Sequence, residues 1–502
     1  MKNTKCILLL LLLFTMGNML AQSQQPRTIE EKLQYFLQIA DAVRVQANIP
    51  GVGISIVYDN EILYTGGLGV RDRTKNLPVT ENTVFSIGSN TKAFTGLLST
   101  KLVTRKMLDW NTPLKSYIPE LELKEPYVTD HVTMADALRH RTGLGRQDNV
   151  WKYKNLSRGQ LLKSLKTLDF AHGFRETYDY NNFMYVVAGI AQERITGKSW
   201  ETLIREEIFS PLKMKNSYTT DQEFWQAKER ALGYQKDGST LATPVHLSGI
   251  APSGAISSTP KDMAKWLQML VDGGRFDGKE YLTPEEYNYM LTPHEDISIR
   301  NGNELWFYYT GLGGFSKNGK RNVGAEGSID GQNSRLSMLL DDGFGIFIMT
   351  NQVSDYKRLL TTYAENIFVK NDYNRNWEWE KILAGSPDFK KFKHYLLEAG
   401  IDKARGFHQS LPEKHFETQM NYLGYELLRD NKLDKALFVF TLNTLDNPKS
   451  SNAFDSLGEA YFMAKDYPKA IQNYQKSLDL DATNNNAKMM LQKIRKQDKK
   501  EH

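Results

Sequence analysis

Only one cysteine, Cys6, occurs in 502 residues, and it lies close to the N-terminus. Past that position the chain has no disulfide, no thiol nucleophile and no cysteine metal site, so packing must stabilise it. Long apolar runs are scarce. The one from Cys6 to Met16 is short for a membrane span, which needs about 20 apolar residues. The 9 histidines form no H-E-x-x-H or comparable pair on one helical face, so neither a metal nor another cofactor is expected. No G-x-S-x-G is present, which excludes one common way of presenting a serine nucleophile. Charge of one sign is not concentrated either. The formal net charge is +5 with acids and bases interspersed, and the one dense basic run, "KIRKQDKKEH", reads as a solvated helix end. No nucleic acid is expected as a partner.

At the N-terminus, Lys2 and Lys5 precede the apolar run, and small and polar residues follow it to Ala21. This is the pattern of an export signal, expected over residues 1–21 with cleavage after Ala21. The mature protein is then expected to be periplasmic or secreted, without a stable membrane span. Cys6 precedes the apolar run instead of following it, so no lipid anchor is expected. The remaining length predicts more than one folded unit, and 25 Tyr, 23 Phe and 8 Trp supply material for their cores.

"GVGISIVYDNEILYTGGLGV" alternates apolar and polar residues around Asp59 and Asn60, the pattern of an antiparallel hairpin. "SRLSMLLDDGFGIFIMTN" repeats that pattern near residue 340. The section between them, with "SWETLIREEIF" and "PKDMAKWLQMLVDGG", is mostly helical in period. Strands at both ends and helices between predict an α+β fold: an antiparallel sheet built from the two ends of the domain, flanked by helices, with an inserted helical lobe. "GFSKNGKR", residues 314–321, nearly matches a phosphate-binding loop, but Arg321 replaces the needed hydroxyl and no helix pattern follows. A hairpin loop leading to an edge strand is expected there.

Beyond residue 370 strand signals stop. "MNYLGYELLRDNKLDKALFVF" and "FDSLGEAYFMAKDYPKAIQNY" align with a shift of 34, pairing Leu423 with Leu457, Gly424 with Gly458, Ala436 with Ala470 and Phe440 with Tyr474. This resembles the tetratricopeptide repeat. The expected division is a main domain over 22–369, a helical linker over 370–415, repeats over 416–497 and a charged tail over 498–502. Such repeats either bind a protein or peptide on a concave surface or buttress the first domain.

"VFSIGSNTKAFTGLL" places Ser89 three residues before Lys92 at the expected start of a helix, where the two side chains share a face. A serine hydroxyl becomes nucleophilic when a base takes its proton, and a lysine serves when burial or neighbouring cations lower its pKa. By itself S-x-x-K is common, and a helix cap followed by a surface lysine explains it equally well.

Together with "VTMADALRHRTGL", "YDYNNFMYVVAGIAQERITGKSWE" and "GIFIMTN", the motif resembles the serine β-lactamase and penicillin-binding-protein-like hydrolases, in the branch related to class C β-lactamases. The likeness covers about residues 30–355. It implies an exported serine hydrolase acting through an acyl-enzyme on an amide or ester of a small-molecule or peptide substrate. It further implies Ser89 as nucleophile, Lys92 as its proton-handling neighbour, Tyr180 of "YNN" as general base and Asn182 as the group orienting the substrate carbonyl. Gly327 gives close backbone approach, and the amides of Ser89 and Ser328 form the oxyanion hole. His140, in "LRHRTGL", is expected to be structural.

One family feature is absent. Where relatives carry a lysine or histidine, "VGAEGSIDGQ" has Ala325, followed by Glu326. Three expectations follow: a less acidic Tyr180 with activity rising toward alkaline pH, a negative charge near the site that disfavours acidic substrates, and Lys320, Arg321 or Arg335 as sources of a replacement cation. A fold that has decayed at Ala325 into a binding protein is the alternative.

Overall fold

The computed structural model describes residues 28–152, 154–235, 239–241, 246–300, 304–317, 320–329, 331–372, 387–411, 417–482 and 484–501. The expected export signal lies outside them.

Among the described residues nine strands form one antiparallel sheet: β1 (Gly51–Tyr58), β2 (Glu61–Asp72), β3 (Leu77–Pro78), β4 (Glu295–Arg300), β5 (Glu304–Tyr308), β6 (Gly313–Lys317), β7 (Lys320–Ile329), β8 (Gln332–Leu339) and β9 (Phe344–Thr350). Their order is β3-β2-β1-β9-β8-β7-β6-β5-β4. The β1–β2 turn is tight because Asp59 and Asn60 both take positive φ, 52° and 63°, which suits the twist of a two-residue hairpin. β1 pairs with β9, Ile54 opposite Ile348, so the two ends of the domain meet at the middle of the sheet.

Alternation along the strands assigns the two faces. Ile54, Ile56, Ile346 and Ile348 point to one side, where Phe36, Ala40 and Val43 of helix α1 (Ile29–Gln46) cover them with Leu360 and Phe368. Phe347 and Met349 point to the other, into the larger core shared with α2 (Thr91–Thr104), α3 (Phe183–Thr196) and α4 (Pro260–Val271). There Phe94 of α2 stacks on Trp266 of α4 at 3.9 Å between ring centroids. From Thr91 to Leu102 every residue of α2 is buried, so this helix is the axle of the domain.

Of the hairpin expected over residues 314–321, the strands β6 and β7 pair antiparallel with Lys317 opposite Lys320, and residues 318–319 lie outside the described residues. The strand it leads to is not an edge, however. β4, β5 and β6 continue the sheet beyond β7 and place it in the interior.

The C-terminal region is all-helical: α5 (Pro387–His394, continued by a π turn to Ala399), α6 (Ile401–Gln409), α7 (Glu417–Arg429), α8 (Leu433–Asp446), α9 (Ser451–Met463), α10 (Tyr467–Leu480) and α11 (Asn485–Glu501). The 34-residue pairing has a physical basis. A Cβ on Gly424 would come within 2.4 Å of the Phe440 ring, and one on Gly458 within 2.9 Å of Tyr474, so each glycine admits the aromatic residue of the next helix. Phe392, Leu396 and Ala404 share a core with Met420, Leu427, Ala436 and Phe440, which joins the stretch before the repeats to the same stack. Among the described residues no helix is long and apolar enough to cross a membrane.

Candidate active site

Ser89 occupies a 3-10 turn, Gly88–Asn90, that runs directly into α2. The turn is fixed from both strands beside it. Ser334 Oγ of β8 donates to the Ile87 carbonyl at 2.7 Å and accepts from Asn90 Nδ2 at 2.7 Å. Gly88 has φ +53°, and a Cβ there would lie 2.8 Å from the Ser328 amide nitrogen. A Cβ on Gly327 would lie 1.9 Å from the Ile87 carbonyl oxygen. Two glycines thus let β7 and the Ser89 turn approach backbone to backbone, bringing Ser328 beside Ser89.

Two side chains converge on Ser89 Oγ. The Tyr180 hydroxyl, in the segment before α3, donates to it at 2.7 Å, and Lys92 Nζ lies at 3.3 Å. Lys92 is only 1% exposed. Its amine also donates to Asn182 Oδ1 at 2.7 Å and to the Ser253 carbonyl at 2.8 Å. Both of those partners are pure acceptors, and the Asn182 amide is oriented by its Nδ2 donating to Asp148 Oδ1 at 2.8 Å. A neutral amine has two N–H groups for these two acceptors and keeps its lone pair for the third direction, toward Ser89.

Electrostatics favour that neutral form. Burial, then the nearby positive charge of Arg146, hold Lys92 well below the ordinary lysine range, with Asp148 acting in the opposite sense. Tyr180 moves the other way. Burial pushes its phenol up to about 12, against the smaller opposing effects of its hydrogen bond to Ser89 and of Arg146. The expectation of a less acidic Tyr180 agrees with this direction. A phenol that keeps its proton is a donor to Ser89, whereas the resemblance implies Tyr180 as general base.

Asn182 is tied to the lysine: it is 5% exposed, its Oδ1 accepts from Lys92 and one of its two Nδ2 hydrogens goes to Asp148, which leaves the second hydrogen for the expected contact with a substrate carbonyl. His140 is fully buried, its Nδ1 accepting from the Asn181 amide at 3.1 Å and its Nε2 facing the Tyr308 hydroxyl at 3.1 Å. Burial first, then Lys92 whenever it is protonated, and the charge of Arg146 hold its pKa well below the usual histidine value. It supports the wall behind Tyr180, at 4.6 Å between ring centroids.

Glu326 lines the same cavity as Ser89, but its charge is compensated and its side chain lies on the other face of β7. Gly327 faces the Ser89 turn, so the pleat turns its neighbour Glu326 to the opposite face of the sheet. There Arg335 holds the carboxylate, with Arg358 Nε at 2.6 Å and Lys357 Nζ at 3.4 Å. Burial alone would raise its pKa, but the Arg358 hydrogen bond and the three cations outweigh burial and bring it down to about 2. The three nominated replacement cations are engaged elsewhere: Lys320 with Asp342 at 2.8 Å, Arg321 with Asp341 at 3.8 Å, and Arg335 with Glu326. A cation does stand beside Tyr180: the Arg146 guanidinium, paired with Asp148, lies 5.1 Å from the Tyr180 ring centroid. Sequence reasoning missed it, together with Asp148, Ser253 and Tyr308. Ala325 stands on the Ser89 side of β7, as its alternation with Gly327 requires.

Ser89, Lys92, Arg146, Tyr180, Ala325 and Ser328 line one open cavity. Among the described residues no group of histidine, cysteine, aspartate and glutamate side chains could hold a metal ion.

An antiparallel sheet flanked by helices, with a serine, a buried lysine and a tyrosine gathered at the start of its central helix, is the arrangement of β-lactamases and penicillin-binding proteins. The family model described as Beta-lactamase matches residues 27–366, and the chain belongs to that family. Among curated proteins it is similar to Unguisins hydrolase ungD' of Aspergillus campestris, 28% identical over 352 residues covering 66% of this chain and 62% of that protein. It is also similar to Protein flp of Staphylococcus aureus strain MW2, 24% identical over 332 residues covering 65% and 64%. The chain thus spans less than two thirds of these relatives. Among solved structures, the octameric penicillin-binding protein homologue from Pyrococcus abyssi shares the fold, with a TM-score of 0.59 at 24% identity over 69% of this chain and 79% of that one.

Proposed function

We propose that this chain is an exported serine hydrolase that cleaves an amide or ester bond through an acyl-enzyme on Ser89. The observation that carries the reading is the convergence on one hydroxyl: Tyr180 OH at 2.7 Å and Lys92 Nζ at 3.3 Å from Ser89 Oγ. Export is supported by the N-terminal sequence pattern.

In the first half-reaction Ser89 Oγ bonds to the carbonyl carbon while its proton passes to the neutral Lys92 amine. The carbonyl oxygen becomes an oxyanion held by the amides of Ser89 and Ser328. Its collapse breaks the bond to the leaving nitrogen or oxygen. Tyr180 gives that atom its proton and recovers one from the Lys92 ammonium. In the second half-reaction water attacks the acyl carbon, Lys92 again takes the proton, and Ser89 leaves with one restored. Acid and base are thus separated by environment, a buried amine kept neutral and a buried phenol kept protonated.

With Glu326 facing away and Arg146 at the cavity, the local charge does not disfavour an acidic acyl substrate. The test is steady-state turnover of p-nitrophenyl esters, D-amino-acid anilides and a chromogenic β-lactam by the wild type and by Ser89→Ala. Turnover of at least one class by the wild type alone supports the reading. Binding without turnover favours the decayed binding protein that Ala325 suggests.

A further inference from the structure

The segment of residues 145–151 connects the surface to the buried lysine. Arg146 is exposed and its Nε donates to Asp148 Oδ2 at 2.6 Å. Asp148 Oδ1 accepts from Asn182 Nδ2 at 2.8 Å and from Trp151 Nε1 at 2.9 Å. Asn182 Oδ1 in turn receives the Lys92 amine. An unbroken chain of hydrogen bonds therefore runs Arg146, Asp148, Asn182, Lys92.

The backbone that holds it is strained. Gln147, between the two charged residues, takes φ +40°, a left-handed conformation that costs a non-glycine residue on the order of 1 kcal/mol. Its side chain offsets this by donating to the Asp169 carbonyl at 2.8 Å. Asn181 ties the same loop to the tyrosine segment by donating to the carbonyls of Leu144 at 3.2 Å and Gly145 at 2.6 Å. The strain sends Arg146 over Tyr180 and Asp148 toward Asn182.

We infer that Arg146 and Asp148 are positioning residues that set the protonation of Lys92 through Asn182 and across the Tyr180 ring, in place of the cation absent at Ala325. The inference rests on the proposed role of Lys92. Lys92 Nζ and the Arg146 guanidinium lie 4.8 and 5.1 Å from the centroid of that ring. The other titratable groups around Lys92 are uncharged at neutral pH: burial raises the pKa of Tyr178, Tyr180, Tyr185 and Tyr308 and lowers that of His140. Arg146 and Asp148 therefore act on Lys92 with opposite sign and no competing charge. Asp148→Asn keeps an acceptor for Asn182 and Trp151 while deleting one charge, and Arg146→Lys keeps the charge while deleting the planar fork.

The experiment follows the titration of Lys92 in the full chain by its 13Cε resonance, assigned by its loss in Lys92→Met, and in parallel the pH dependence of Ser89 acylation by an activated ester. Arg146→Gln is expected to move the Lys92 titration to higher pH by about 0.5–1 unit and Asp148→Asn to move it to lower pH by a similar amount. Arg146→Lys, the conservative variant, returns it toward the wild type. Equal titration in all variants, or displacement of the same sign in Arg146→Gln and Asp148→Asn, overturns the inference. Because the resonance reports Lys92 directly, opposite shifts with no acylation by any probe would uphold this inference and defeat the hydrolase reading. An active Ser89 with an unmoved Lys92 would do the reverse.

Discussion

Lys92 Nζ lies 2.7 Å from Asn182 Oδ1, so an amide whose other end is held by Asp148 occupies one of the two N–H groups a neutral amine can offer. With the Ser253 carbonyl taking the second, the lone pair is left for Ser89. Replacing Lys92 by methionine removes the base and is expected to slow acylation of Ser89 by about 10²–10⁴. Stopped-flow acylation by an activated ester measures it, and a loss of less than tenfold would remove Lys92 from the chemistry.

The pH profile follows from the two opposed shifts. Acylation needs Lys92 unprotonated, and burial places its pKa well below 10.5, so the rate rises with pH through that depressed value. Tyr180 keeps its proton up to about 12, so no falling limb is expected between pH 8 and 10. The rate of Ser89 acylation across pH 5–10 should show one rising limb and a plateau. A bell with a descent inside that range contradicts the assignment of acid and base.

Gly327→Ala tests the oxyanion hole through the backbone. Its Cβ would meet the Ile87 carbonyl oxygen at 1.9 Å and Ser334 Oγ at 2.6 Å, so β7 must move and carry the Ser328 amide away from Ser89. A loss of about 10²–10³ in acylation rate is expected, comparable to losing one oxyanion donor. Wild-type rates in this variant would place the oxyanion elsewhere.

Glu326 makes an acid-stability prediction. Its folded-state pKa of about 2 is depressed from 4.5, so its stabilisation is present above pH 4.5 and lost as pH falls from 4.5 toward 2. For a side chain 30% exposed this is on the order of 2–3 kcal/mol. Urea unfolding at pH 7 and pH 3 should show that Glu326→Gln loses stability at pH 7 and flattens the dependence between them. Equal pH dependence in both proteins would mean that the three cations do not hold the carboxylate.

The hairpins around Asp59 and Asp341, and the S-x-x-K spacing, were legible because each depends on residues near one another in sequence. So was the all-helical C-terminal region, whose repeat is visible as a fixed shift. Strands β4–β6 were not: Gly313 and Gly314 depress strand propensity in β6, which pairing with β7 makes extended, and β5 and β4 are then added by pairing in turn on β6 and β5. Arg146 and Asp148 escaped notice for a different reason. Their roles depend on the left-handed conformation of Gln147 and on Asn182, 34 residues away from Asp148. Glu326 was legible as a charge but not as a direction, because only the register of β7 against the Ser89 turn decides which face it takes.

Whether Ser89 accepts an acyl group is read from intact mass after the full-length wild type and Ser89→Ala are each exposed to penicillin, an activated ester and a fluorophosphonate. One stoichiometric adduct is expected on the wild type and none on Ser89→Ala, with a peptide map that places the added mass on the Ser89 peptide. No adduct across the pH range, or equal labelling of both proteins, would contradict this role of Ser89.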